Sequence, residues 1–209
     1  MPDDTHSRLI RRADAASIGL SGDLAARLVV FYDLLRRWNR KVNLTSLEDS
    51  DEALDRLLIE PVAAARYLPF GPRLMDVGSG GGSPAIPLAL ALSSAQVVMI
   101  ESKSRKGAFL REAIRQLELP AQVVEGRFED FGTLASFGHR MTVVSARAVQ
   151  LGARELAILR SFLAPDGLIA LFRSSSSAPP DVPVGLDMAG TYPLVPSLNS
   201  SLSLLKRSA

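Results

Sequence analysis

The chain has 209 residues, no cysteine, and 24 basic against 22 acidic side chains, a formal charge of +2. That length holds one full α/β domain plus an extension, and the lack of cysteine removes disulfides and thiolate metal sites. Hydrophobic residues make up 47% and aromatic ones 6%, which fits a globular aliphatic core; with no bilayer-length apolar run and no secretion signal, the cytoplasm is the expected location and no membrane contact is expected.

Roughly the first thirteen residues are polar and are expected to fray. Ser21 is a suitable N-cap for a helix carrying Asp23 in its first turn, with Leu24, Leu28, Phe31, Leu35 and Trp38 on one face. Arginine supplies 20 of the 24 basic residues. Arg8, Arg11 and Arg12 open the chain, and Arg36, Arg37, Arg40 and Lys41 surround Trp38. A basic cluster around an aromatic suits RNA phosphates and bases. A solvated helix face has the same composition, so these residues alone leave both readings open. Glu52–Leu68 reads as a further helix, interrupted or bent near Pro61.

From there the pattern alternates. Strands are predicted at Arg73–Val77, Gln96–Ile100, Gln122–Glu125, Met141–Ala146 and Leu168–Phe172, and helices at Ala85–Leu92, Arg105–Leu117 and Gly152–Phe162. Ala164-Pro165-Asp166-Gly167 is predicted to be a turn into the fifth strand. After a loop rich in serine and proline over Ser174–Pro180, Leu186–Val195 and Ser200–Lys206 can close the sheet as an antiparallel pair. The expected fold class is α/β: a mostly parallel, doubly wound sheet over residues 71–209, preceded by an N-terminal helical extension over residues 1–70.

The strongest motif lies between the first predicted strand and its helix, at Asp76-Val77-Gly78-Ser79-Gly80-Gly81-Gly82-Ser83-Pro84. Glycines there let the backbone turn tightly and approach a ligand, and the following helix offers unsatisfied N–H groups. Gly80-x-Gly82-x-x-Ala85 fits a dinucleotide fingerprint. Asp76-x-Gly78-x-Gly80-x-Gly82 resembles motif I of the S-adenosylmethionine-dependent methyltransferases. Glu101, ending the second strand, suits ribose hydroxyls in either case. Asp76 favours the methyltransferase, since an acid before the turn can pair with the amino end of a methionine moiety. A flexible surface loop is the competing reading.

Three further segments extend the resemblance. Trp38-Asn39-x-x-Val42-Asn43-Leu44-Thr45, the glycine motif continued through Leu88, and Ser145-Ala146-Arg147-Ala148-Val149 occur in the order seen in the 16S ribosomal RNA guanine-N7 methyltransferases, the glucose-inhibited division protein B family. Gly126–Phe131 resembles that family's segment after the third strand. The resemblance covers about residues 24–172 and implies a class I, Rossmann-like methyltransferase fold with S-adenosylmethionine as cofactor and no metal. Carried over, Gly78, Gly80, Gly82 and the backbone near Ser83 hold the methionine part beside Asp76. Glu101 and Ser102 hold the ribose, Phe128 and Glu129 flank the adenine, and Arg147 closes the site.

The implied partner is 16S ribosomal RNA or the small ribosomal subunit, with Arg36, Arg37, Arg40, Lys41 and Arg173 as candidate RNA contacts and the protein acting as a monomer. Guanine N7 carries a lone pair and no proton, so no general base is needed and no catalytic side chain is assigned; neither His6 nor His139 sits in a motif. Three departures lie on the substrate side. Leu57-Leu58-Ile59-Glu60-Pro61 replaces a His-x-x-Asp-Ser-like stretch, Ser83 stands where a bulky apolar residue is expected, and Phe172 occupies the family's lysine position with Arg173 beside it. A relative that binds cofactor or RNA without this activity, or that methylates another substrate, is the alternative.

Overall fold

The computed structural model describes residues 4–131, 140–147 and 151–208. Its centre is a seven-stranded sheet in the order β3-β2-β1-β4-β5-β7-β6, formed by β1 (Arg73–Val77), β2 (Gln96–Glu101), β3 (Ala121–Glu125), β4 (Met141–Arg147), β5 (Leu163–Ser174), β6 (Leu186–Pro193) and β7 (Ser200–Arg207). The first five strands are parallel; β7 pairs antiparallel with β5, and β6 with β7. The doubly wound sheet expected from the sequence is therefore present, as is the closing antiparallel pair. Among the described residues no helix is long and apolar enough to cross a membrane.

Alternation along the strands divides the core between the two faces of the sheet. Leu74 joins a cluster with Leu88 and Phe109, whereas Met75 and Val77 join one with Val144, Leu156 and Phe162. Helix α8 (Ala153–Phe162) supplies the second cluster. On the first face lie α5 (Ala85–Ala91) and α6 (Ser104–Gln116) together with the N-terminal helices, so Leu9, Leu28, Phe31 and Leu54 share one continuous cluster with the sheet. Trp38 is half-buried there, its ring edge-on to Phe109 at 5.8 Å.

The predicted fraying of the N-terminus is overturned. Residues Thr5–Ala15 form α1, with Asp4 as N-cap accepting from the Ser7 N–H at 2.7 Å, and Leu9 and Ala13 are buried. Few apolar residues mark this helix because ion pairs across the fold hold the rest of it. Arg8 reaches Asp49 at 3.0 Å and Asp51 at 3.2 Å, and the Arg12 Nε donates to Asp55 Oδ1 at 3.0 Å. Arg8 and Arg12 are thus committed to acids of the same molecule.

Helix α2 (Gly22–Asn39) begins as expected, with the Leu24 N–H donating to the Ser21 Oγ. The predicted helix around Pro61 runs in three pieces: α3 (Asp51–Leu54), a π-helical turn over Asp55–Ile59, and α4 (Glu60–Ala65). Pro61 explains the widening. It has no N–H for the Leu57 carbonyl in an α-helix, nor for the Arg56 carbonyl in a π turn. Both carbonyls take side-chain donors instead: Arg147 Nη1 to Arg56 O at 2.6 Å, and Ser83 Oγ to Leu57 O at 2.7 Å.

A second correction concerns Ala164–Gly167, which lies inside β5 as a bulge. Met141 pairs with Leu163 and Val143 with Leu168, so the strand gains residues between two close partners. A Cβ at Gly167 would stand 2.6 Å from the Met141 carbonyl oxygen, which only glycine avoids.

Asp55, 1% exposed, pins the π turn to both ends of the chain through Arg12 and through the Ser197 Oγ at 2.6 Å. Asp55→Ala leaves both donors without their acceptor and is expected to cost about 2–3 kcal/mol, read as a lowered urea midpoint at unchanged slope.

Candidate functional site

The glycine turn folds over the tip of β2. The N–H groups of Gly78 and Ser79 both donate to the Ile100 carbonyl, at 2.9 and 3.0 Å, and Gly78 has φ +72°. Gly82, at φ +81°, is required by packing, because a Cβ there would lie 2.6 Å from Ile86 Cδ1 and 3.3 Å from Leu110. Gly80 differs. At φ +52° its missing Cβ would meet only the Gly78 carbonyl at 3.7 Å, so the turn is open on that side.

Glu101 is held at the rim of this turn. Gly80 N–H donates to its Oε2 at 2.9 Å and Lys103 N–H to its Oε1 at 2.8 Å, and the residue is 6% exposed. Each oxygen retains a lone pair beyond these bonds, so the carboxylate can still accept two hydroxyls. Ser102 is exposed beside it. The Gly126 N–H donates to the Glu101 carbonyl at 3.1 Å, which brings the start of α7 (Phe128–Phe131) to the same strand tip. There Phe128 is buried in the second apolar cluster, and Glu129 is half-buried, 3.5 Å from Arg127.

Asp76 lies below the turn, 1% exposed. Ser145 Oγ donates to its Oδ1 at 2.6 Å, but Oδ2 is buried without a partner. Burial pushes this carboxyl up to about 6, against the hydrogen bond from Ser145, the neighbouring Ser79 hydroxyl, which itself donates to the Asp76 main-chain carbonyl at 3.0 Å, and the positive charge of Arg147. An unpartnered buried acceptor, an open-sided glycine turn and a rim carboxylate form a donor set that fits an amino-acid end joined to a ribose.

Two residues assigned to this site, Ser83 by its backbone and Arg147 by its side chain, both donate from their side chains to the π turn. Ser83 gives its hydroxyl to the Leu57 carbonyl, so its side chain anchors the turn to the π turn. Arg147, ending β4, donates to the Arg56 carbonyl, lies 3.2 Å from Glu60, and sits 4.9 Å over the ring of Phe172. Burial holds its guanidinium below the ordinary value against the pull of Glu60. Ala148, Val149 and His139 lie outside the described residues.

The Asn39 motif acquires a physical role that the sequence reading missed. Asn39 Oδ1 accepts the N–H groups of Leu44 and Thr45 at 2.7 and 2.9 Å, while its amide donates to the Thr45 carbonyl at 3.0 Å. The Leu44 carbonyl then lies 3.1 Å from where a Gly81 Cβ would be. Glu60, Arg56 and Ser145 were likewise missed; the available signal was a proline inside a helical pattern.

The predicted basic cluster ends α2. Arg36 is tied to Asp49 at 2.7 Å and covers Tyr32. Arg37 and Arg40 line two adjoining clefts, one of about 780 Å³ that reaches Asn39, Thr45 and Leu57, the other of about 630 Å³ along Trp38, Lys41 and Gln116. Arg173 is half-buried at the end of β5, donating to the Ala178 carbonyl.

Comparison with known proteins follows the same lines. A family model described as rRNA small subunit methyltransferase G matches residues 24–179. The chain is 35% identical over 212 residues to the ribosomal RNA small subunit methyltransferase G of Xanthomonas campestris pv. campestris, covering 98% of this chain and 95% of that one. It is 41% identical over 164 residues to that of Halorhodospira halophila, covering 77% and 75%. Among solved structures, a mutant of MtNAS in complex with S-adenosylmethionine superposes with TM-score 0.58 at 14% identity, covering 99% and 84% of the two chains. The CcbJ methyltransferase from Streptomyces caelestis superposes with TM-score 0.55 at 16% identity, covering 73% and 91%. At those identities the structures speak to the fold alone.

The raised Asp76 carboxyl sets a pH signature. The native chain takes up this proton near pH 6 and the unfolded chain only near 3.8, so the native state binds more protons between them. Stability from this group therefore falls as pH rises through that window and is lost above it. Asp76→Asn removes the effect. Urea midpoints should show wild type losing about 2–3 kcal/mol relative to the variant between those two pH values, with no further change above.

Proposed function

We propose, on the premise that the chain belongs to the rRNA small subunit methyltransferase G family, that the open glycine turn holds S-adenosylmethionine and delivers its methyl group to a guanine N7. The protein is an S-adenosylmethionine-dependent methyltransferase of small-subunit ribosomal RNA with a Rossmann-like fold. The observation that carries the site assignment is the buried Asp76 Oδ2 without a partner, below a turn whose rim is the Glu101 carboxylate.

The residues divide the cofactor between them. Asp76 accepts from the amino end, and an ammonium there would draw its carboxyl back toward the ordinary range. Main chain from Gly78 through Gly82 to Ser83 lies along the methionine part. Glu101 and Ser102 take the ribose hydroxyls, and Phe128 and Glu129 bound the adenine. The bound cofactor supplies an electrophilic methyl on sulfur; the N7 lone pair forms the new N–C bond and the S–C pair returns to sulfur. No proton moves, so the protein's task is in-line positioning and exclusion of water.

The basic end of α2 takes the RNA. Arg37, Arg40 and Lys41 present cationic donors over the apolar wall formed by Leu34 and Trp38, a combination that suits phosphates and an unstacked base. Arg36 acts there by its partly exposed face, and Arg173 adds a further contact across β5. The protein works as a cytoplasmic monomer on 16S ribosomal RNA or the small subunit.

Purified protein incubated with radiolabelled cofactor and small subunits lacking guanine-N7 methylation should place label at a guanine N7. Label on another position, or none while cofactor binding is measured in the same preparation, rejects this specificity. Two variants separate the sites. Glu101→Ala should weaken cofactor binding about tenfold or more without changing affinity for RNA. Arg37→Ala with Arg40→Ala should weaken RNA binding and lower its salt dependence by about one to two phosphate contacts while cofactor affinity stays at the wild-type value.

A further inference from the structure

Arg147 has two buried carboxylates around it and takes only one. Its Nη2 lies 3.2 Å from Glu60 Oε2, and Glu60 is fully buried. Asp76 is paired with Ser145, which stands two residues before Arg147 on the same face of β4, and its hydrogen bond comes from Ser145 and not from Arg147. Among the described residues, four buried side-chain atoms lack a hydrogen bond: Glu60 Oε2, Asp76 Oδ2, and Arg147 Nε and Nη2. Glu60 Oε2 and Arg147 Nη2 face each other as an ion pair, so Asp76 Oδ2 is the acceptor, and Arg147 Nε the donor, left without one. The geometry that draws the guanidinium toward Glu60 is the π turn. Pro61 leaves the Arg56 carbonyl without a backbone donor, Arg147 Nη1 fills that vacancy, and Phe172 supports the guanidinium from the other side. Arg56 meanwhile steadies Glu60 through its Oε1 at 3.1 Å.

We propose that Glu60 is a positioning residue that holds the Arg147 guanidinium off Asp76, so that Asp76 Oδ2 stays open to the ammonium of the cofactor's amino-acid end. The inference rests on the assignment of Asp76 to cofactor binding made above. A buried cation without a partner is costly, and it moves to whatever carboxylate is in reach. With the charge of Glu60 removed, that carboxylate is Asp76. The unpartnered N–H groups of Arg147 then pair with Oδ2, and the incoming ammonium meets an occupied acceptor beside an uncompensated positive charge. The adenosine end is held by Glu101, two residues beyond the Met99 that pairs with Asp76, and makes no contact with the atoms that change partner. Glu60 therefore controls affinity for one end of the cofactor without touching it.

Calorimetric titration of the full chain with two ligands tests this: S-adenosylmethionine, and 5′-methylthioadenosine, which has the adenosine and the sulfur but no amino-acid end. Glu60→Gln should weaken S-adenosylmethionine by on the order of tenfold to a hundredfold and leave 5′-methylthioadenosine within about twofold of wild type. Glu60→Asp, which keeps the charge on a shorter stem, should show the same ligand selectivity at smaller size. The double variant Glu60→Gln with Arg147→Gln has no cation to invade Asp76 and should regain affinity for S-adenosylmethionine relative to Glu60→Gln alone. It also removes the fully buried cation that the first substitution leaves unpaired, so with Glu60→Asp it carries the test should Glu60→Gln fail to fold. Equal losses for both ligands, or no recovery in the double variant, would overturn the proposal. A wild-type protein that binds 5′-methylthioadenosine but gains nothing from the amino-acid end overturns instead the assignment of Asp76.

Discussion

A missing N–H organises this molecule. Pro61 cannot close the backbone hydrogen bonds that a helix passing through Arg56 and Leu57 requires, and the chain answers with a π turn and two freed carbonyls. Each is claimed by a residue from a different part of the sheet: Ser83 from the glycine turn after β1, Arg147 from the end of β4. The outer side of the same turn carries Asp55, which gathers α1 and the segment between β6 and β7 through Arg12 and Ser197. Four regions distant in sequence meet on five residues. Because buried polar groups must be satisfied, this arrangement is specified tightly: each partner is there to meet an acceptor that would otherwise be orphaned.

Two kinds of support hold the cofactor turn in place. Hydrogen bonds from below, to the Ile100 carbonyl and the Glu101 carboxylate, fix the path of Gly78, Ser79 and Gly80. Packing from the side, by Ile86, Leu110 and Leu44, fixes Gly81 and Gly82. Neither covers the outer face of Gly80. A turn that is held on its inner side and bare on its outer side is preorganised, so a ligand that lies against it does not have to order the backbone first. The buried Asp76 adds a standing cost of desolvation that a cationic ligand group would relieve further than Ser145 and Arg147 do.

Much of this was legible in the residues, and the exceptions have physical reasons. Strands β1, β2 and β4 are short apolar runs buried on both faces, and the glycine turn needs backbone conformations that few other residues reach, so both left strong marks. Helix α1 left little mark because long-range ion pairs hold it, and pairing across about forty residues has no local signature. The bulge in β5 read as a turn because Pro165, Asp166 and Gly167 are turn-forming types, and only the close approach of the Met141 carbonyl shows why glycine sits inside a strand. In β7 leucine alternates with serine, yet Ser201 and Ser203 are buried with the leucines, and Thr191 of the paired β6 lies within 3.4 Å of Ser203. Arg147 is the most instructive case. Its position at a strand tip pointed to a ligand, but the direction of a long side chain depends on which acceptor the rest of the fold leaves open.

The clamp formed by Asn39 has a consequence for how the two sites communicate. It closes the C-terminal end of α2 onto Leu44 and Thr45, and Leu44 in turn buttresses Gly81. Arg37 and Arg40 belong to that same helix end. On the proposed reading, RNA held by those arginines would rest on the element that braces the glycine turn, with one amide side chain between them. Free energies coupled through a shared support are reciprocal. Were both proposed sites loaded, whatever one ligand gained through that support the other would gain in equal measure.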